Sequence, residues 1–218
     1  VLGTIVRGGL PSMYRQGLAS IASILLNWAA KPFGDAAIAA MAIVSKVSMF
    51  SGSAMIGFGQ GFQPVCGFNY GAGRYDRVRK AFWFCVKVGL AALLVIAALG
   101  CLLSPQIVLA FQKGDPEVVR LGTFALRCQF VTLPTVSYVV LNNMMLQTVG
   151  ENARASIVAL ARQGLFFIPA ILILPRLLEF TGVALAQPVS DVCAMLLAIP
   201  LSNGFLRKLR KMEEAQKA

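Results

Sequence analysis

Three features of this sequence predict an all-α, polytopic membrane protein with six transmembrane helices. Its 218 residues are 57% hydrophobic and only 13% charged, whereas a soluble domain carries about 25% charge. Apolar runs of the roughly 20 residues that cross a bilayer can be placed six times, and the mean hydropathy is +0.73. The basic residues behind the net charge of +11 gather beside those runs, at Arg74–Lys80 and Arg207–Lys211. That is the pattern of the positive-inside rule. A nucleic-acid module carries its basic residues on one face of a soluble fold, so the partner expected here is the lipid bilayer and not nucleic acid.

The spans fall at 10–30, 36–63, 81–104, 121–148, 155–174 and 182–205. Residues 1–9, with one Arg and three Gly, read as a loop without a signal-peptide pattern, so the N-terminus is expected to be internal to a longer protein. Lys31-Pro32-Phe33-Gly34-Asp35 is a tight turn between the first two spans. Lys113-Gly114-Asp115-Pro116-Glu117 joins the third and fourth, with Asp115 as a helix cap and Pro116 at the first helical position. Residues 175–181 join the last two. These links carry mixed charge and are expected outside. The opposite ends carry Arg7, then Arg74, Arg77, Arg79 and Lys80, then Arg154, then the tail from Arg207, which places both termini in the cytoplasm. The expected organisation is a six-helix lobe over residues 1–206 and a basic cytoplasmic tail over 207–218.

Polar residues inside a span need a reason, because a charge at the bilayer centre costs about 2.5–3.5 kcal/mol on insertion scales. In the first span Gln16, Ser20, Ser23 and Asn27 recur at spacings of 4, 3 and 4, which sets them on one helical face. Such a stripe either lines an aqueous cavity or bonds to neighbouring helices. In the second, Lys46 is mid-span, with a functional or a structural role. Ser53, Gly57 and Gly61 form a small-residue ridge expected to pack against another helix. Gln63-Pro64 is expected to interrupt the last turns of this span: Pro64 removes the donor that would bond to Gln60 and makes a hinge, while Gln63 can satisfy the freed carbonyl or touch a solute.

In the fourth span Arg127, Tyr138 and Asn142 fall at spacings of 11 and 4, with a second hinge candidate, Pro134, between them. A kinked helix with a polar face suits a moving, solute-facing element; a proline kink satisfied by neighbouring hydroxyls is the alternative. Asp191, about ten residues into the sixth span, is the one carboxylate placed deep in lipid. Lys46, Arg127 and Arg15 are its candidate partners, and it is the candidate for ion coupling. The chain has no histidine and no pair of intramembrane carboxylates, so enzymatic chemistry is not expected. The five cysteines are scattered without CxxC spacing and read as small apolar residues, not as a metal or disulfide framework.

Three stretches resemble a known family. Gly61-Phe62-Gln63-Pro64-Val65, with Gly67 and Asn69-Tyr70-Gly71-Ala72, is similar to the QPxxGxNxGA element of the multidrug and toxic compound extrusion (MATE) transporters. Gly9-Leu10-Pro11-Ser12, Arg15-Gln16-Gly17-Leu18, Leu25-Leu26-Asn27 and Gly34–Met41 resemble the family's seventh helix and the start of its eighth. Gly150–Arg154, Leu174-Pro175, Gly182, Gln187-Pro188 and Asp191 are similar to its run into the last two helices. The resemblance implies the C-terminal lobe of a twelve-helix transporter of the bacterial plasma (inner) membrane, lacking its N-terminal lobe. It implies export of cationic or amphipathic drugs by alternating access, with Na⁺ or H⁺ as coupling ion and no other cofactor. The acidic residues that some branches place on the seventh and tenth helices are absent from the first and fourth spans here. Coupling would then fall to Asp191 or to the missing lobe. A membrane scaffold or a lipid flippase is the alternative function.

Overall fold

The structure, a computed structural model, describes residues 2–112 and 114–217, with the side chains of 2–12, 14, 15, 216 and 217 left undescribed. It is helical almost throughout: α1 Leu2–Ala30, α2 Asp35–Gly71, α3 Tyr75–Phe111, α4 Pro116–Thr148, α5 Asn152–Leu160 and α6 Phe167–Lys217. A π turn, Ala161–Leu165, joins α5 to α6. The described residues therefore form five helical runs, not six, because the last two expected spans are continuous in one run. That run folds back on itself at Glu179, whose φ of 52° and ψ of −135° break the helix. The reversal is read from its pairs, Glu151 with Lys208 and Arg162 with Asp191. It is tight enough that a Cβ on Gly182 would lie 2.1 Å from the Leu174 carbonyl oxygen.

Turn chemistry places the other ends. Asp115 caps α4, its Oδ1 accepting from the Glu117 amide at 2.8 Å and the Val118 amide at 3.4 Å, as its place before Pro116 predicts. The turns after α2 and α4 use one device. Arg74 N donates to Asn69 O at 2.8 Å and Gly73 N to Tyr70 O at 3.1 Å; Glu151 N donates to Leu146 O at 2.9 Å and Gly150 N to Gln147 O at 3.2 Å. Both are Schellman closures, and both need a left-handed residue, supplied by Gly73 and Gly150 with φ of 70° and 80°. Two boundaries differ from expectation. Residues 2–9 are helical, not loop. Pro64 does not end α2, which continues to Gly71, because the turns beyond it keep their own hydrogen bonds.

The core lies around α4, which is buried all round from Leu141 to Leu146 and packs against α2, α3 and α6. Close approach depends on particular glycines. A Cβ on Gly89 would meet Ser137 Oγ at 2.6 Å, and one on Gly100 would enter the Phe130 ring at 2.5 Å. The Ser53, Gly57 and Gly61 ridge behaves differently from its expected packing role. All three are exposed, and nothing lies within 4 Å of a Cβ on either glycine; Gly59, on the opposite side, is the one that meets Met144. Leu94, Val95, Leu99, Leu102 and Leu103 of α3 are exposed together. Four helical stretches, in α2, α3, α4 and Asn152–Ala215, are long and apolar enough to cross a membrane. An exposed leucine face on such a helix belongs in lipid.

Candidate functional site

The second limb of α6 buries Asp191 to 1% exposure, where an ionised carboxylate needs partners. Three are present. Its Oδ1 accepts from Arg162 Nε at 2.7 Å and from Gln187 Nε2, one turn earlier on α6, at 2.9 Å. Its Oδ2 accepts from Gln129 Nε2 of α4 at 3.2 Å. Arg162 comes from the π turn, and the Ser190 hydroxyl donates to the Arg162 carbonyl oxygen. A π turn holds an extra residue and so displaces backbone carbonyls from their usual donors. Here the chain closes Phe166 N onto Ala161 O at 3.0 Å, and Ser190 satisfies another carbonyl from the facing helix. Side chain and backbone of one residue are thus both held by α6.

Neither Lys46 nor Arg127 is the partner of Asp191, and Arg15 lies outside the residues whose side chains are described. Lys46 is exposed on α2. Arg127 is exposed but anchored to α3, its Nε donating to Ser104 Oγ at 3.1 Å and to the Cys101 carbonyl at 3.4 Å. The sequence offered a signal for the true partner: Arg162 is the one charged residue in the expected span 155–174. A lone mid-span arginine needs an anion as much as a lone mid-span aspartate needs a cation.

Arg127, Tyr138 and Asn142 do not share one environment. Asn142 is fully buried, donating from Nδ2 to the Ala198 carbonyl at 3.1 Å, while its Oδ1 has no partner. The hydroxyls of Tyr138 and Ser202 share a hydrogen bond. Tyr138 also lines a cleft of about 380 Å³ with Trp83, Pro134, Ser137, Met195 and Asn203. The ring of Trp83 lies 6.4 Å from that of Tyr138 and the two give the cleft an aromatic wall, with the buried Phe82 ring packed behind Tyr138 at 6.2 Å. Pro134, one of the expected hinges, is therefore at a solute-sized opening; Pro64, the other, is exposed on α2 beside the half-buried Gln63.

On α1, Gln16, Ser20, Ser23 and Asn27 are all exposed. The Ser20 hydroxyl turns back to the Gln16 carbonyl at 3.3 Å. No hydrogen bond from this stripe to another helix occurs among the described residues, so the stripe faces out of the lobe and does not glue it together.

A family model described as MatE matches residues 11–173, three quarters of the chain. The chain belongs to the MatE family. Among curated relatives, the multidrug export protein MepA of Staphylococcus haemolyticus is 26% identical over 193 residues, covering 88% of this chain and 42% of the relative. MepA of Staphylococcus aureus is 26% identical over 209 residues, covering 93% of this chain and 45% of its own length. The MatE chain described here thus spans less than half the length of the relatives it matches. The fold agrees with solved structures. A MATE crystal structure in complex with MaL6 superposes with a TM-score of 0.89 at 22% identity, covering 96% of this chain and 48% of that one. The outward-facing and inward-facing conformations of a multidrug resistance MATE family transporter superpose at 0.87 and 0.86, each at 22% identity. They cover 95% and 93% of this chain, and 47% of theirs. This MatE chain is accordingly a multi-pass membrane protein with the fold of about half a transporter.

Proposed function

We propose that this chain is the C-terminal lobe of a multidrug exporter which, completed by an N-terminal lobe, moves cationic or amphipathic compounds out of the cell in exchange for Na⁺ or H⁺. The observation that carries the reading is the outward polar stripe of Gln16, Ser20, Ser23 and Asn27. Nearly three turns of amide and hydroxyl groups are unfavourable in lipid, and among the described residues none of them bonds to another helix; Ser20 turns only to its own helix. A water-filled cavity against a second lobe satisfies them. Lys46 is exposed on the neighbouring α2, and the cost of its charge in lipid supports its facing the same cavity. The aromatic wall beside Tyr138 suits a flat cation, since ring faces attract positive charge.

Coupling through Asp191 would have to work against Arg162 and two glutamines, because its oxygens already accept three hydrogen bonds. A proton acts there by releasing Arg162; a sodium ion acts by displacing a donor. The basic loop Arg74–Lys80 and the tail from Arg207 lie on the cytoplasmic side in this reading, with both termini.

The test is ethidium efflux from cells lacking their own exporters, with this chain expressed alone and together with a MATE N-terminal lobe. Efflux that needs both, and that collapses with the Na⁺ or proton gradient, is expected and names the coupling ion. Efflux from this chain alone overturns the half-transporter reading. No efflux from an inserted, stable pair moves the assignment to a scaffold or a lipid flippase.

A further inference from the structure

A groove of about 600 Å³ lies where the end of α1 and the turn Lys31–Phe33 meet the first limb of α6. Its walls are apolar, built from Trp28, Phe33, Ile171 and Leu172, and two cations, Lys31 and Arg176, stand among them. Both cations are exposed, and neither forms an ion pair among the described residues. The nearest acids along the chain, Asp35 at the start of α2 and Glu179 at the reversal of α6, form no ion pair with either cation. Phe33 is held in place by an edge-to-face contact with Phe180 at 6.3 Å. With Lys31–Phe33 as the link between the first two spans, the groove falls at the membrane edge. α2 begins beside it at Asp35 and runs 37 residues, about 55 Å at 1.5 Å per residue, to the basic loop at the other end. Trp28, 62% exposed, is the amphipathic ring that settles at headgroup level.

Apolar walls with two cations outside any ion pair, beside a tryptophan, describe the complement of one molecule class. We propose that this groove seats a phospholipid with an anionic headgroup, its phosphate between Lys31 and Arg176 and an acyl chain along Trp28, Ile171 and Leu172. A zwitterionic lipid brings its own cation to a site that already holds two. A free phosphate leaves the apolar walls uncovered.

The whole 218-residue chain, purified in detergent and examined by native mass spectrometry, tests this with phosphatidylglycerol, phosphatidylcholine and inorganic phosphate as probes. Expected is one tightly held phosphatidylglycerol per chain, little phosphatidylcholine, and no displacement by phosphate. Replacing both cations, Lys31→Gln with Arg176→Gln, is expected to weaken phosphatidylglycerol about 30-fold, from the attraction each basic residue gives near an anionic lipid. Leu172→Trp, which fills the groove and leaves the charges, should also expel the lipid. Arg207→Gln with Lys211→Gln, in the tail, should change nothing. Equal retention of phosphatidylcholine, competition by phosphate, or unchanged binding in the groove variants each overturns the proposal. The three-probe comparison on the unaltered chain decides it even if a variant folds poorly.

Discussion

At the residue scale, Asp191 and Arg162 are a pair whose value depends on both being present. Removing one partner of a buried pair leaves an uncompensated charge and costs about 3–5 kcal/mol, whereas removing both and filling the space is often nearly neutral. Arg162→Leu is therefore expected to lower the melting temperature in detergent sharply, and Arg162→Leu with Asp191→Leu to recover most of the loss. Equal loss in single and double variants would show that the pair is not a unit. A second pair behaves differently. Lys208 donates to Glu151 at 2.9 Å, and this hydrogen bond, with the charge of Glu151, raises the Lys208 pKa above its ordinary 10.5. A raised lysine pKa stabilises fully below the unfolded value and is lost as pH climbs through the folded one. The difference in melting temperature between the unaltered chain and Lys208→Met is expected to stay constant between about pH 6 and 9 and to shrink only in stronger alkali. A difference that changes near neutrality would assign it to another group. The sequence showed Asp191 as a buried acid in need of a cation but pointed to Lys46 and Arg127, neither of which pairs with it, and not to Arg162. Spacing along one helix carries no information on which helix lies opposite, and Arg162 owes its direction to a π turn that no residue pattern announces.

At the scale of elements, the helices were legible because apolar runs of bilayer length are few in kind, and the caps because Asp115-Pro116 and the glycines of the turns have local causes. The ends near prolines were not. Pro64 reads as a stop, yet one missing donor did not outweigh the bonds of the turns after it, and α2 runs on to Gly71. The ridge of Ser53, Gly57 and Gly61 has the spacing of a packing surface, but spacing does not say whether the partner is in the same chain. The reversal at Glu179 is the most strained of these features. Its φ of 52° and ψ of −135° belong to the first corner of a type II′ turn, a position for glycine. A non-glycine residue in such a region costs about 1–3 kcal/mol. Glu179→Gly is therefore expected to stabilise the chain by about 1 kcal/mol after the extra flexibility of the unfolded glycine is subtracted. A drop in stability would mean that the Glu179 side chain contributes more than the strain removes.

At the scale of the whole molecule, the fold was legible from hydropathy, charge and the QPxxGxNxGA-like element, and the MatE match agrees with it. The polar stripe of α1 was legible with two open readings; the structure shows that it is exposed, and spacing alone could not say so. Orientation rests on the basic loops. Replacing Arg74, Arg77, Arg79 and Lys80 by Gln is expected to weaken or invert it in a reporter-fusion map, and an unchanged map would defeat the charge argument. The tight reversal of α6 has a consequence for how such a chain enters its membrane. Because the reversal leaves no room for a side chain at Gly182 beside the Leu174 carbonyl, the two limbs form one close helical hairpin, and a hairpin can enter lipid as a unit. Arg162 and Asp191 lie on opposite limbs of that hairpin, so two charges that would each resist the lipid alone are offered to it as a neutral couple.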